Sequence, residues 1–246
     1  MDPIISFRHV SKSYPMYQSV TAGIKNFLFH LPSSIKDIRR GHFQALEDIS
    51  FDIFPGETVG FIGSNGAGKS SLLSLMAGVI VPNSGEIHVA GRVSPLLELG
   101  AGFHFELTGR DNILLNGVLL GLTKQQVLDK VQDIIAYSEL EQFIDQPIRA
   151  YSSGMLARLG FAVVAHLEPE ILLLDEMLAV GDAAFQKKCL RTMGEFRERQ
   201  VTMIFVSHNM DDVLRVCTRA IWIHNHRIAM DGAPEEVVEA YLRQSG

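Results

Sequence analysis

The stretch that most limits what this chain can become is Thr58-Val59-Gly60-Phe61-Ile62 followed by Gly63-Ser64-Asn65-Gly66-Ala67-Gly68-Lys69-Ser70. A short apolar strand runs into a glycine-rich turn, and the turn opens directly into an apolar helix, Ser71-Leu72-Leu73-Ser74-Leu75-Met76-Ala77. In that order the turn's backbone N–H groups and the helix N-terminus converge on one point, which suits the concentrated negative charge of a polyphosphate. Lys69 is placed to reach β- and γ-phosphates, and the Ser70 hydroxyl to sit on a Mg²⁺ that bridges the same oxygens. Four fixed positions recur by chance in glycine-containing loops. The strand before and the helix after distinguish a nucleotide-binding turn from an ordinary strand-to-helix connection.

Such a turn needs a sheet to carry it, and 246 residues at 47% hydrophobic are enough for one large α/β domain with a full core. A formal charge of -6 and a pI near 5.8 argue against nucleic acid as the main partner, because surfaces that bind it concentrate basic residues. No apolar run approaches the roughly 20 residues of a membrane span, and Met1-Asp2-Pro3 lacks the basic-then-apolar layout of a signal peptide. The chain is therefore expected in the cytosol. Cys189 and Cys217 fall in amphipathic stretches and read as buried thiols.

Before the turn, Ile4 to Phe7 with Val10 reads as a short strand, and Ser11 to Tyr14 leads into a turn at Pro15. Tyr14 is either an aromatic for stacking on adenine or a packing residue at a strand end. Residues 15–43 read as an insertion: Ile24, Phe27, Leu28 and Leu31 share one helical face, Pro32 stops it, and Lys36, Arg39 and Arg40 follow. That helix either covers a sheet edge or faces a membrane partner or headgroups. Ile49, Phe51 and Ile53 alternate with polar residues as a half-buried strand, so an antiparallel pair borders the phosphate turn. Gly85 to Val89 and Arg92 to Leu97 read as further strands, after which helical patterns dominate from about Glu98 to Leu167. Thr108 opens one helix, Thr123 with Gln126 forms a capping box for another, and Tyr151-Ser152-Ser153-Gly154-Met155 precedes a third.

The strand-like stretch Glu170 to Leu174 carries the continuous apolar run Ile-Leu-Leu-Leu after its glutamate, as expected of a strand buried on both faces of a parallel sheet, and it ends in Asp175-Glu176. Ligands of open α/β sheets bind at the strands' carboxyl ends, which brings both acids beside the phosphate turn. Asp175 fits a Mg²⁺-holding role and Glu176 a general base that orients and deprotonates water. Asp182 to Arg199 reads as a helix and Val201 to Val206 as another buried strand. His208 stands at that strand's carboxyl end, where it either senses phosphate or is a structural residue. His224 and His226 share a strand face but lack a third metal ligand nearby. A closing hairpin and a helix headed by Pro234 end the chain.

In order, these residues resemble the ATPase subunit of ABC transporters over nearly the whole length: the Walker A loop 63–70, a signature-like Tyr151-Ser-Ser-Gly-Met155, the Walker B strand ending Asp175-Glu176, the turn Ala179-Val-Gly-Asp182 and the switch-like His208. The resemblance implies a RecA-like P-loop NTPase, an α/β fold with a mostly parallel sheet, an antiparallel β part and an inserted helical subdomain. Residues 1–97 and 168–246 would form the core, 98–167 the helical signature subdomain, and 15–43 an inserted helix within a single domain. It also implies ATP bound by Tyr14 and by Gly63, Ser64, Asn65, Gly66, Ala67, Gly68, Lys69, Ser70 and Ser71. Two copies would pair head to tail, so that Ser152, Ser153 and Gly154 of one grip the γ-phosphate held by the other.

More narrowly, the chain is similar to the polysaccharide-export branch, which moves O-antigens, capsules or teichoic acids. The motifs are Glu98-Leu-Gly-Ala-Gly-Phe-His104, Glu106-Leu-Thr-Gly-Arg110, Glu176-Met-Leu-Ala-Val-Gly-Asp182 and the long insertion after Tyr14. Glu98 stands where most ABC ATPases have a glutamine and is a third candidate, with Ser70 and Asp175, for holding Mg²⁺. Met155 replaces the signature's last glutamine, and Phe105 stands where this branch commonly has proline. The implied partners are a second copy, a transmembrane permease and a lipid-linked glycan, with no nucleic acid, at the cytoplasmic face of the inner membrane. The alternatives are a soluble ABC ATPase acting on ribosomes or DNA, which would normally carry two cassettes or a long coiled-coil insert, and an ABC ATPase of another exported substrate. A P-loop kinase would need no signature helix.

Overall fold

Two kinds of strand pattern sort into two sheets. The computed structural model describes residues 2–15, 41–96, 102–167, 169–175 and 182–245. The half-buried strands β1 (Ile5–Pro15), β2 (His42–Ile53) and β4 (Ser84–Val89) form an antiparallel sheet in the order β2-β1-β4. The apolar runs β3 (Thr58–Ile62), β6 (Ile171–Asp175) and β7 (Thr202–Val206) form the middle of a six-stranded sheet. It is completed by β5 (Val93–Leu96), β8 (Arg219–His224) and β9 (Arg227–Gly232), in the order β5-β6-β7-β3-β8-β9. Neighbours from β5 to β8 are parallel, and β9 is antiparallel to β8. All of β3 and β7 is buried, which is why these strands carry no polar alternation.

Seven helices are described: α1 (Lys69–Met76), α2 (Gly109–Leu119), α3 (Lys124–Ser138), α4 (Ser153–Ala165), α5 (Ala183–Glu198), α6 (Met210–Val216) and α7 (Pro234–Ser245). Their starts follow side-chain chemistry. Thr108 Oγ1 accepts from Asp111 N ahead of α2, and Thr123 and Gln126 form the reciprocal capping box ahead of α3. Ser152 caps α4 and Asp182 caps α5. One apolar cluster lies between the antiparallel sheet, α1 and one face of the large sheet, around Phe7, Phe61, Leu72 and Ile204. The other joins the opposite face to the helices, around Ile113, Phe161, Phe185 and Phe205.

The first strand is longer than its apolar residues suggest. It continues past Val10 to Pro15, with Tyr14 opposite Phe43 and Pro15 opposite His42, and register shifts interrupt it from Phe7 to Ser13. The expected turn at Pro15 is thus a strand end, a position where proline's missing N–H is tolerated. Pro15, His42 and Phe43, placed in the insertion by sequence, belong to the antiparallel sheet. The apolar face Ile24–Leu31 and the basic residues Lys36, Arg39 and Arg40 lie outside the described residues.

Candidate functional site: a phosphate-loop cleft

The turn between β3 and α1 is shaped by close backbone approaches. A Cβ on Gly63 would lie 2.4 Å from the Ile223 carbonyl oxygen, and one on Gly68 only 2.2 Å from that of Ala45. Gly68 has φ 109° and is the residue before the first helical turn, where it offers no capping side chain. With no capping side chain ahead of them, the leading N–H groups of α1 suit an anion, as at other helix N-termini that follow a glycine-rich turn. Lys69 is 6% exposed, and its Nζ donates to Gly63 O at 2.7 Å and Ser64 O at 3.0 Å, so the ammonium is held across the turn that it would share with a phosphate.

This turn forms one wall of a cleft of about 180 Å³. Asn65, Gly66, Gly68, Lys69, Ser70 and Ser71 come from the turn and α1, Asp175 and Val206 from the ends of β6 and β7, and Phe43 and Ala45 from β2. The register explains the meeting. Asp175 pairs with Val206, and Val206 with Phe61 just ahead of the turn, so three parallel strands end abreast. Ser70 and Asp175 offer a hydroxyl and a carboxylate to the same space, a hard-oxygen pair suited to Mg²⁺.

The other candidates are placed differently. Ala67 is buried at 5% exposure and packs into the cluster around Phe61 and Leu72. Ser64 is exposed beside the cleft. Tyr14 stands at the edge of the cleft, its hydroxyl 3.2 Å from the Ser71 Oγ that lines it. His208 is exposed two residues beyond Val206, in the turn where Asn209 caps α6 through Asp211 N. Ser152 and Ser153 are exposed, outside the cleft, at the start of α4, and Ser152 Oγ accepts from Met155 N. Tyr151, by contrast, is a buried anchor whose hydroxyl donates to Phe143 O at 2.7 Å. Glu98 and Glu176 lie outside the described residues, though Glu176 directly follows Asp175. His226 Nδ1 faces Ala45 O, while His224 Nε2 faces Gln244. Burial pushes both cysteine thiols up to about 12, which keeps them protonated and inert.

Two features escaped the sequence. Asn112, fully buried in α2, accepts from His104 N and donates to the carbonyls of His104, Leu107 and Thr108, fixing the segment that contains Phe105. Phe105 itself is 55% exposed. Arg158, one turn beyond Gly154 on α4, pairs with Glu139 at 3.0 Å and with Asp182, and its guanidinium lies 5.1 Å from the Phe185 ring centroid. The Asp182 carboxyl is held below its ordinary range, first by the Phe185 N–H and also by Arg158 and the Ala184 N–H. Lys188 joins the same cluster through Glu139 and the Tyr137 carbonyl. The signature-like helix is thereby tied to the cap of α5. An arginine after a small-residue turn was visible in the sequence, but its partners were not.

The family described as ABC transporter matches residues 46–179, a span that runs from β2 through the phosphate turn, the signature-like turn and the end of β6. The chain belongs to the ABC transporter family. It is an ABC-type ATPase of the polysaccharide-export branch. Two O-antigen export system ATP-binding proteins RfbB of Klebsiella pneumoniae are each 52% identical to it over 98% of this chain and 98% of their own length. The teichoic acids export ATP-binding protein TagH of Listeria monocytogenes serotype 4b (strain F2365) is 44% identical over 96% of this chain and 69% of its own length. Among solved structures, an ATP-binding cassette in a dimeric post-hydrolysis state bound to ADP and Pi superposes with a TM-score of 0.74 at 17% identity, covering 94% of this chain and 98% of that one. That likeness shows the fold, a P-loop NTPase with parallel and antiparallel sheets and packed helices.

Proposed function

We propose that this chain is the ATPase subunit that powers export of a lipid-linked polysaccharide, an O-antigen, across the cytoplasmic membrane. The RfbB proteins, similar over their full length, supply the substrate class. Those relatives are named as ATP-binding proteins of an export system, so we place a transmembrane permease beside this subunit, which works at the cytoplasmic face as its peripheral partner. The segment between Pro15 and His42, the strand ends, is our candidate for contact with that partner.

The observation that carries the catalytic reading is the separation of two half-sites. Lys69, Ser70 and Asp175 line the cleft, whereas Ser152 and Ser153 stand exposed outside it at a helix N-terminus. Completion by a second copy joins them: the phosphate loop of one copy holds ATP, and Ser152, Ser153 and Gly154 of the other close on its γ-phosphate, favoured there by the helix dipole. Ser70 and Asp175 would hold Mg²⁺, with Glu98 as a further oxygen ligand. When bound, the ion neutralises charge on the β- and γ-oxygens. Lys69 shifts from the loop carbonyls to phosphate oxygens. Glu176, next to Asp175 at the strand end, takes the proton of the attacking water, and His208 contacts the γ-phosphate. Loss of that phosphate removes what holds the copies together, and the dimer opens.

Deleting the gene and analysing the accumulated lipid-linked glycans tests this. O-antigen on its lipid carrier should accumulate on the cytosolic side, with none on the surface. Unchanged surface O-antigen would refute the assignment.

A further inference from the structure

The last turns of α5 and α6 border a groove of about 220 Å³ that ATP hydrolysis does not use. Leu190, Met193, Gly194 and Arg197 follow one another at i, i+3, i+4 and i+7, so they share one face of α5. Across the groove stand Arg215 and Val216 at the end of α6. Met193 and Val216 are buried, Leu190 is half-buried, and both arginines are exposed. Because α5 leads into β7 and α6 into β8, the groove lies at the amino ends of these parallel strands, whereas the phosphate-loop cleft lies at their carboxyl ends. The five residues of β7 put roughly 15 Å between the two.

Two observations mark the groove as a place for a ligand. The first is Gly194. Glycine is the poorest residue but proline for a helix interior. Here its φ is not positive, and an added Cβ would meet nothing within 4 Å. Neither backbone geometry nor crowding calls for it; the missing side chain leaves open space in the groove. The second is charge. On a chain of net charge -6, two guanidinium groups are brought to one groove. Among the described residues neither has an ion pair or a side-chain hydrogen bond, whereas Arg191 on α5 and Arg243 on α7 are paired. Asp212, one turn back on α6, interacts with Arg215 only beyond ion-pair range. A basic residue in the last turn complements a helix's carbonyl end. That accounts for each arginine alone, but not for their meeting beside a glycine over an apolar floor.

We propose that this groove binds a small soluble phosphomonoester that carries a short alkyl chain. A phosphate offers oxygens to both planar guanidinium forks, where a single carboxylate would fill one. Leu190, Met193 and Val216 receive the first carbons of the chain, in the space that Gly194 leaves clear. The groove is smaller than the pockets of about 300–1,000 Å³ that hold larger ligands, which excludes a nucleotide. The ligand therefore binds apart from ATP, at the opposite edge of the sheet.

Isothermal titration of the full chain with hexyl phosphate and with inorganic phosphate tests this, with the cleft first filled by the Mg²⁺ complex of a non-hydrolysable ATP analogue. Hexyl phosphate should bind once per chain, and inorganic phosphate at least about tenfold more weakly, the worth of two buried methylenes. Arg197→Gln and Arg215→Gln should each weaken hexyl phosphate at least about tenfold, through loss of a charge-assisted hydrogen bond. Gly194→Leu should fill the groove and abolish binding, while its urea midpoint is no lower than the parent's, so that a folding defect is not the cause. The proposal is overturned if hexyl phosphate does not bind, if inorganic phosphate binds equally well, or if the arginine variants or a folded Gly194→Leu bind as the parent does. Binding of phosphatidic acid vesicles or of a Glu-Leu-Glu peptide in place of hexyl phosphate would overturn it in favour of a membrane or protein contact.

Discussion

Gly68 and Gly66 offer a matched pair for testing how the phosphate turn is held. Both have positive φ, 109° and 79°, so alanine is conformationally strained at either place. Around Gly66 an added Cβ meets nothing within 4 Å, whereas at Gly68 it meets Ala45 O at 2.2 Å and Leu46 Cδ2 at 2.7 Å. Gly66→Ala should therefore cost only left-handed strain, about 1–2 kcal/mol. Gly68→Ala carries strain of about 1–3 kcal/mol and must also push β2 from the turn, a further ~1–3 kcal/mol. Urea unfolding can be followed by emission of Trp222, the chain's one tryptophan and only 6% exposed. The midpoint should fall modestly for Gly66→Ala and clearly further for Gly68→Ala, at an unchanged slope. ATP affinity should fall in the same order, since Gly68 and the Ala45 that it would displace both line the cleft. Equal midpoints for the two variants would refute the steric argument.

Ser152→Ala removes the cap on Met155 N and should cost about 0.5–2 kcal/mol of stability. ATP binding by the isolated chain should persist, while steady-state hydrolysis falls about a hundredfold through loss of a donor to the γ-phosphate. Asp182 has a folded pKa below its ordinary 3.8, so its stabilisation is present above that value and is lost as pH falls through the folded pKa. Thermal melts of the parent and Asp182→Asn should differ at neutral pH and converge in acid; a constant difference would rule out the ionised cap. Phe27→Asp with Leu28→Asp should leave ATP binding intact and abolish glycan export, and loss of ATP binding or solubility would place those residues in the core instead.

Much of the nucleotide site was legible because it is local in sequence. The turn Gly63–Ser70 lies within one strand–helix step, and the uninterrupted apolar runs before Asp175 and His208 announce strands buried on both faces. Helix starts were equally local, since Thr123 and Gln126 are three residues apart. What the sequence hid is long-range. The second half of β1 is polar and irregular, and its strand character comes from pairing with His42 to Leu46 across the intervening segment. Phe43 reads as part of an insertion until that pairing brings it to the cleft. Arg158 finds Glu139 and Asp182 19 and 24 residues away, and nothing in spacing announces either partner. Asn112 reads as a polar helix residue, and only its satisfied hydrogen bonds show why it can be fully buried.

The most direct test of the central claim is surface O-antigen in a strain whose only copy of this chain carries Glu176→Gln. General-base contributions of about 10²–10⁴-fold mean that hydrolysis should all but stop while ATP still binds. The account predicts normal levels of the variant protein, glycan retained on its lipid carrier in the cytosol, and none at the surface. O-antigen at the surface at the parental rate would contradict it.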